Sequence, residues 1–526
     1  MCKLFVLTVA VAMAAHVVVS SPEEDITRLV LADVAKPVRP VGVNGQTEAW
    51  NENATWFMYP PTFKFAETPG ARLYYVRAIG ADGKTHAFEQ KTPVVSLESV
   101  WTNLPTGRTE LWCDACLWSN TMTMRRHFKS FWKMEPYRPG TYPKAPRGYA
   151  EAAVMGGRYL LNCKWLRTYA ETGRPDMEYK NNCYPTKMDA AVISLMTDFA
   201  GFSSEDSKRA ITLARTVADR LMSSSQPADA PLAHFPPTYF GDARVAARSN
   251  AGVNVLVHPA EAGSAYLKLW GVTKEQKYLE AARRIAETYL RLQGEDGTWY
   301  FKMREADGEP TNENRLHPWA VIDFLDTLFG VTADMRYRAA AERAFDFFER
   351  GPLRDWNWEG QFEDMTPTGK YINLTKHPAC WTACHLLKRW PSDPGRIAQA
   401  RELLRFAEDQ FVVWKRPESQ EDGMRLGLLG SGWKVEPAVV EQYHFREAVD
   451  ASASRLITTY LALYKATGNP LDLAKARTLG DSIVRIQETS GRIPTCWSGD
   501  CTDIQGDWLN CMVSSVGALI QLSGQK

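Results

Sequence analysis

This chain has almost no net charge. Its 62 Lys and Arg stand against 61 Asp and Glu in 526 residues, leaving +1 at pH 7. A balance of this kind gives no electrostatic footprint for nucleic acid or for an acidic membrane surface, both of which are met by a basic surplus. After the first twenty residues no run is long and apolar enough to cross a bilayer. Acid clusters such as Asp500-Cys-Thr-Asp503 lack EF-hand spacing and read as turns. No complete catalytic signature of a single enzyme family is present. The sequence calls for no cofactor and no metal ligand set.

The N-terminus carries the one leader-like segment. Lys3 supplies a charge, Leu4 to Val19 an apolar stretch, and Val18-Val19-Ser20 a small-residue cleavage site, so residues 1–20 read as a signal peptide. The mature chain is expected to be exported, periplasmic or extracellular, with no membrane contact after cleavage. Of ten cysteines, Cys2 leaves with the leader and nine remain, an odd number. Cys496 and Cys501 are close enough for a loop disulfide, whereas Cys113-Asp-Ala-Cys116 is a lone CxxC and a weak signal. The 18 Trp and 20 Tyr offer ring platforms of the kind sugars stack on, although most rings in any chain are core.

Residues 36–130 are rich in β-formers. Ala71–Ile79 is followed by Asp82-Gly83 and then Thr85–Phe88, and Val94-Val95 and Leu111-Trp112 mark further strands. This predicts a small β-sandwich accessory domain, and Leu104-Pro-Thr-Gly107 leading into Leu111-Trp112 resembles a fibronectin type III module. Prolines at 136, 139, 143 and 146 punctuate a linker.

From residue 147 to 526 the spacing is helical. Tyr278-Leu279, Ala282, Ile285, Ala286, Tyr289 and Leu290 form one apolar stripe. Three His-Pro pairs, His258-Pro259, His317-Pro318 and His377-Pro378, recur at intervals of 59 and 60 residues, and Tyr184-Pro185 is a fourth of the kind. Proline is tolerated in the first helical turn, so each pair reads as a helix start. Connections alternate between short ones, such as Gly271-Val-Thr273 and Gly330-Val-Thr332, and long ones that each precede a helix. About twelve helices arranged as six hairpins explain this rhythm, with every long loop on one rim. The predicted fold is mainly α, a toroid preceded by the β-sandwich.

Tyr266-Leu-Lys-Leu-Trp-Gly271, Tyr278–Ala282, Gln293-Gly-Glu-Asp-Gly-Thr-Trp299 and Tyr464–Pro470 resemble stretches of the (α/α)6-toroid carbohydrate-active enzymes. These include unsaturated glucuronyl hydrolases, six-hairpin glycosidases and toroid polysaccharide lyases. The resemblance implies an oligo- or polysaccharide substrate containing uronic acid.

Trp356-Asn-Trp-Glu-Gly-Gln-Phe-Glu-Asp364 is the densest candidate site. Glycoside hydrolysis needs two carboxyl groups across the scissile bond, and Glu359, Glu363 and Asp364 offer them beside Trp356 and Trp358. A carboxyl between tryptophans is expected to have a raised pKa, as a proton donor requires. His377 opens the next helix as an acid, base or uronate ligand. The competing reading is β-elimination by Tyr443 and His444, with Lys187 or Arg315 neutralising the uronate carboxylate. His258 with Glu261, one turn apart, ranks next, and His317, Asp450, Trp299 and Trp497 complete the substrate-binding candidates. His377, Cys380 and Cys384 share a helical face, a spacing that suits buried thiols better than metal ligands. A non-catalytic glycan-binding protein is the alternative outside enzymes.

Overall fold

The computed structural model describes residues 22–43, 45–117, 123–239, 250–363, 369–428, 433–498 and 507–525. The leader at 1–20 and Asp364, Asp500, Cys501 and Asp503 lie outside the described residues. Among the described residues, no helix is long and apolar enough to cross a membrane.

A helix that sequence patterning did not anticipate comes first, α1 (Pro22–Val34). The β-rich segment follows. Its larger sheet joins β1 (Trp56–Phe57), β3 (Leu73–Ile79), β4 (Thr85–Gln90), β6 (Gly107–Cys116) and β7 (Thr123–Lys133) in the order β1-β7-β6-β3-β4. β2 (Thr62–Lys64) and β5 (Val94–Ser96) form a separate pair. The period-2 pattern works as expected on β3, where Tyr74, Val76 and Ala78 face the core and the residues between them do not. The sandwich is only partly realised: a second layer of several strands is absent among the described residues. The inner face is closed instead by β2, β5 and a single helical turn, Glu98–Trp101, whose indole stacks on Phe131.

The rest of the chain is helical. α2 (Tyr149–Asn162) and α3 (Lys164–Thr172) lead into five hairpins: α4 (Pro185–Phe202) with α5 (Ser207–Ser223), α6 (His258–Thr273) with α7 (Gln276–Leu292), α8 (Trp319–Thr332) with α9 (Met335–Arg350), α10 (His377–Arg389) with α11 (Pro394–Phe411), and α12 (Asp450–Thr467) with α13 (Pro470–Ile486). The last helix, α14 (Leu509–Ser523), packs on α2, so the two ends of the helical region make the sixth pair. α4, α6, α8, α10, α12 and α14 touch in that order, and α14 returns to α4. The ring is therefore closed. The inner helices are buried on nearly all sides, whereas outer helices such as α7 bury one stripe, Tyr278, Leu279, Ala282, Ile285, Ala286 and Tyr289. Close approach within the ring needs Gly263, because a Cβ there would collide with the ring of Phe324 on α8.

The left-handed turns fall three residues after the glycines that suggested them. Gly271 and Gly330 remain helical, and the left-handed turn falls on Lys274 and Ala333. A threonine sets each turn. Thr273, Thr332 and Thr467 donate their hydroxyls to the carbonyl four residues back and accept the N–H two residues on.

Two polar joints fix the N-terminal part to the ring. Asp33 of α1 meets Arg405 at 2.9 Å, and Lys475 bridges it to buried Glu408. Asp409 Oδ1 accepts the backbone N–H groups of Met58 and Tyr59 at 2.5 and 2.9 Å. Small sheets that the sequence did not reveal tie the long loops together: β8 (Val253–Val255) with β9 (Lys302–Arg304), and β10 (Val412–Val413), β11 (Ala438–Gln442) and β12 (Phe445–Ala448).

Candidate functional site

The first turns of all six inner helices surround a cavity of about 540 Å3 at the long-loop end of the ring. Lys187, His258, Trp319, His377, Ala451 and Asn510 line it, one from each helix start. Six helix N-termini thus converge on the rim that carries the long loops, and their dipoles add positive potential to the cavity. The wall continues down the inner helices at helical spacing, as in Asn510, Ser514, Gly517 and Gln521 of α14.

One long loop sends Gln361-Phe362-Glu363 into the cavity. It is held through the Gln361 side-chain amide and the Glu363 carbonyl. Gln361 donates to Arg315 O and accepts from His317 N, both at 2.7 Å, while Lys302 and Tyr239 donate to the Glu363 carbonyl. Glu363 is 9% exposed, and its carboxylate meets Lys187 Nζ at 2.5 Å. Burial alone pushes its pKa up, but Lys187 and then His258 outweigh that and hold it at about 2. The Lys187 ammonium is raised in turn by Glu363 against the opposing effect of its own burial. Glu363 is thus an anion at neutral pH, suited to activate water, attack carbon or stabilise a cation. The raised pKa expected of a carboxyl in this loop is not found at Glu363, because the loop delivers it to a lysine rather than to the tryptophans.

All three repeated histidines line the cavity. His258 is 4% exposed, its Nδ1 lies 2.9 Å from Glu261 Oε2, and its Nε2 has no partner among the described residues. Buried His317 has no partner at Nδ1 among the described residues, and burial lowers it to about 4. His377 Nε2 lies 3.1 Å from Arg455 Nη2. Arginine only donates, so Nε2 accepts and the ring proton sits on Nδ1. Burial first, then Arg455, lowers the His377 pKa well below its usual range, and the ring is neutral.

Several lining residues were missed by sequence reasoning. Lys376 is buried, donates to Glu441 O at 2.7 Å and to Ser452 Oγ at 2.5 Å, and is lowered by burial to about 8. Arg455, Asp323, Trp319 and Trp508 also face the space. Trp319 and Trp508 are only part-buried and supply the cavity's indole faces. Position was the available signal: Trp319 directly follows a His-Pro pair, Lys376 directly precedes one, and Trp508 immediately precedes α14.

Other candidates lie elsewhere. Glu359 is buried behind the loop: its Oε1 accepts from Gly369 N, and its backbone bridges to Leu374. Trp356 and Trp358 pack in the core, Trp356 against Trp50 and Phe406. Trp299 donates to Tyr289 O and is fully buried, as is Trp497. None of these four indoles offers a face to a ligand, because each is buried and, for Trp356, Arg39 lies over the ring at 5.6 Å. Arg315 is neutralised by Asp296 and stacks on Tyr300, acting on the site only through its carbonyl. Tyr443 donates to Gln410 at 2.7 Å and stacks on Phe411, while exposed His444 occupies the β11–β12 turn. Neither belongs to the cavity wall. Asp450 is wholly buried behind the wall, accepts from Ser515 at 2.8 Å and is pushed well up by burial. Cys380, Cys384 and Cys511 are free thiols, and Cys496 is disulfide-bonded.

No family model matches this chain. A comparison with curated proteins also finds no match. Among solved structures, a family 76 glycoside hydrolase from a bovine Bacteroides thetaiotaomicron strain is similar at 13% identity and a TM-score of 0.47, covering 88% of this chain and 95% of the other. The cellobiose 2-epimerase of Spirochaeta thermophila is similar at 16% identity and a TM-score of 0.46, over 71% of this chain and 97% of the other. An unsaturated glucuronyl hydrolase from Streptococcus agalactiae is similar at 11% identity and a TM-score of 0.45, over 71% and 92%.

Proposed function

We propose that this protein is an exported carbohydrate-active enzyme that hydrolyses a glycosidic bond next to uronic acid, with its active site in the central cavity. The observation that carries this reading is the ionised Glu363 facing a cavity that also holds the His258–Glu261 pair and two indoles. In this reading Glu363 activates water or attacks the anomeric carbon. The proton for the leaving oxygen comes from the His258–Glu261 pair through Glu261, the more open of the two and a lining residue of the cavity. Trp319 and Trp508 provide stacking faces for sugar rings. The leader-like N-terminus and the disulfide at Cys496 support export.

Elimination by Tyr443 and His444 has less support, since one hydroxyl is engaged by Gln410 and the other side chain sits on a hairpin turn. A binding protein without turnover would share the cavity but would not need an ionised carboxylate and a His–Glu pair in its wall. The test is turnover of a panel of uronate-containing oligosaccharides, followed by reducing ends and by the absorbance of 4,5-unsaturated uronates. New reducing ends without new absorbance, lost in Glu363→Gln, support hydrolysis at this site. New absorbance with full activity in Glu363→Gln would overturn it.

A further inference from the structure

We infer that Arg455 reads an anionic group on the substrate and that its capture by that group releases His377 Nε2 into the site. The inference rests on the reading that the cavity takes a glycan. Arg455 lies in the second turn of α12 and faces the cavity. Its situation differs from that of the other cavity cations. Lys187 is neutralised by Glu363 at 2.5 Å, and Lys376 donates to Glu441 O and Ser452 Oγ. Arg455 has no carboxylate within ion-pair distance among the described residues, and its one hydrogen bond there goes to neutral His377.

A guanidinium carries five N–H donors in a planar fork, and a single imidazole nitrogen satisfies one of them. Leaving a charged group part-buried without a counter-ion is unfavourable unless a ligand supplies it. Carboxylate and sulfate oxygens both match the fork bidentately. A charge-assisted pair is about twice as strong as a hydrogen bond between neutral groups, so an arriving anion outcompetes the imidazole. The consequence is coupling. While Arg455 donates to Nε2, that lone pair is occupied and His377 cannot act on a sugar. Once the guanidinium turns to an anion, the lone pair faces the cavity beside Trp319, whose ring lies 5.6 Å from the imidazole. Anion recognition and the exposure of His377 thus become one event, and a neutral sugar achieves neither.

The test is isothermal titration of the full-length protein with sodium glucuronate, glucose and inorganic sulfate, in wild type, Arg455→Gln and Arg455→Lys. The 15N signal of His377 Nε2 is followed alongside. Wild type is expected to bind glucuronate at least tenfold tighter than glucose, with the Nε2 signal moving on glucuronate only. Arg455→Gln is expected to lose that preference and to leave the signal unmoved by either sugar. Arg455→Lys keeps a charge but not the fork, should recover part of the affinity, and carries the test if the glutamine variant does not fold. Sulfate competing with glucuronate, with the same arginine dependence, supports the inference by showing that both anions use the one guanidinium. Equal binding of glucuronate and glucose to wild type, or a preference that survives in Arg455→Gln, overturns it. Hydrolysis of glycans that still depends on Glu363 would then leave the functional reading standing. An arginine-dependent anion preference with no turnover of any glycan would do the reverse.

Discussion

Replacing Lys187 with methionine should damage this protein in a way that acid partly repairs. The substitution keeps most of the side-chain volume and removes the charge that holds Glu363 ionised at 2.5 Å. A carboxyl held at about 2 instead of its ordinary 4.5 carries about 3 kcal/mol of preference for the charged form, at ~1.4 kcal/mol per tenfold in acidity. Both groups are mostly buried, so screening removes little of this. The folded pKa is depressed, so the stability that Glu363 contributes is present above about pH 4.5 and is lost as pH falls through about 2. Without Lys187, burial dominates and the carboxyl shifts upward. The variant should lose about 3–5 kcal/mol at pH 7, the cost of breaking a buried pair and stranding one charge. It should regain part of that loss below pH 5, where Glu363 takes a proton. The double variant Lys187→Met/Glu363→Gln should recover most of the loss at pH 7. Urea denaturation at pH 7.5 and pH 4.5 measures all three. A loss under about 1 kcal/mol that does not change with pH would refute the electrostatic account of Glu363.

Gly517 lies on the cavity wall with nothing within 4 Å of a Cβ placed there, so Gly517→Phe should fold with an unchanged or slightly higher melting temperature and yet lose glycan turnover by filling the space. Gly263→Ala should cost about 1–3 kcal/mol in denaturant titration, because the new methyl group meets the Phe324 ring between α6 and α8. Burial pushes Asp409 up to about 7; a raised folded pKa means stability fully present below the ordinary 3.8 and lost as pH rises through about 7. Asp409→Asn should therefore flatten the dependence of the denaturation midpoint on pH between 4 and 8, and an unchanged slope would show that Asp409 is not its source.

The helical architecture was legible because its signals are local. Pro259 and Pro378 fix helix starts through their own geometry, apolar spacing separates one-sided outer helices from inner ones buried throughout, and alternating loop lengths report which end of the ring each loop occupies. The β segment was read less fully. Strand spacing identified β3, β4, β5 and β6, but the number of strands in a covering layer depends on which segments pair across the sheet.

At the site, sequence identified the right loops and helix starts but not which side chains face inward. Glu359 and Glu363 look equivalent as residues four apart in one acidic loop. A backbone bridge from Glu359 to Leu374 turns the first into the core, and the clamps on Gln361 and the Glu363 carbonyl turn the second toward Lys187. The tryptophans beside them drew attention for their chemistry, yet Trp356 and Trp358 serve packing. Trp319 and Trp508, which do face the cavity, carried no distinguishing motif beyond their place at the start of an inner helix. Arg455 and Lys376 were invisible for a related reason: a charged residue on an inner helix gains meaning only when the ring that surrounds it is closed.

The most direct test of the central claim is the rate of reducing-end release from uronate-containing oligosaccharides by the wild-type protein and by Glu363→Gln, at equal folded concentration verified by circular dichroism. The account predicts release by the wild type without new unsaturated-uronate absorbance, and a fall of at least about 100-fold in the variant, a typical scale for losing one acid–base group. Equal rates in the two proteins would contradict it and remove Glu363 from the chemistry.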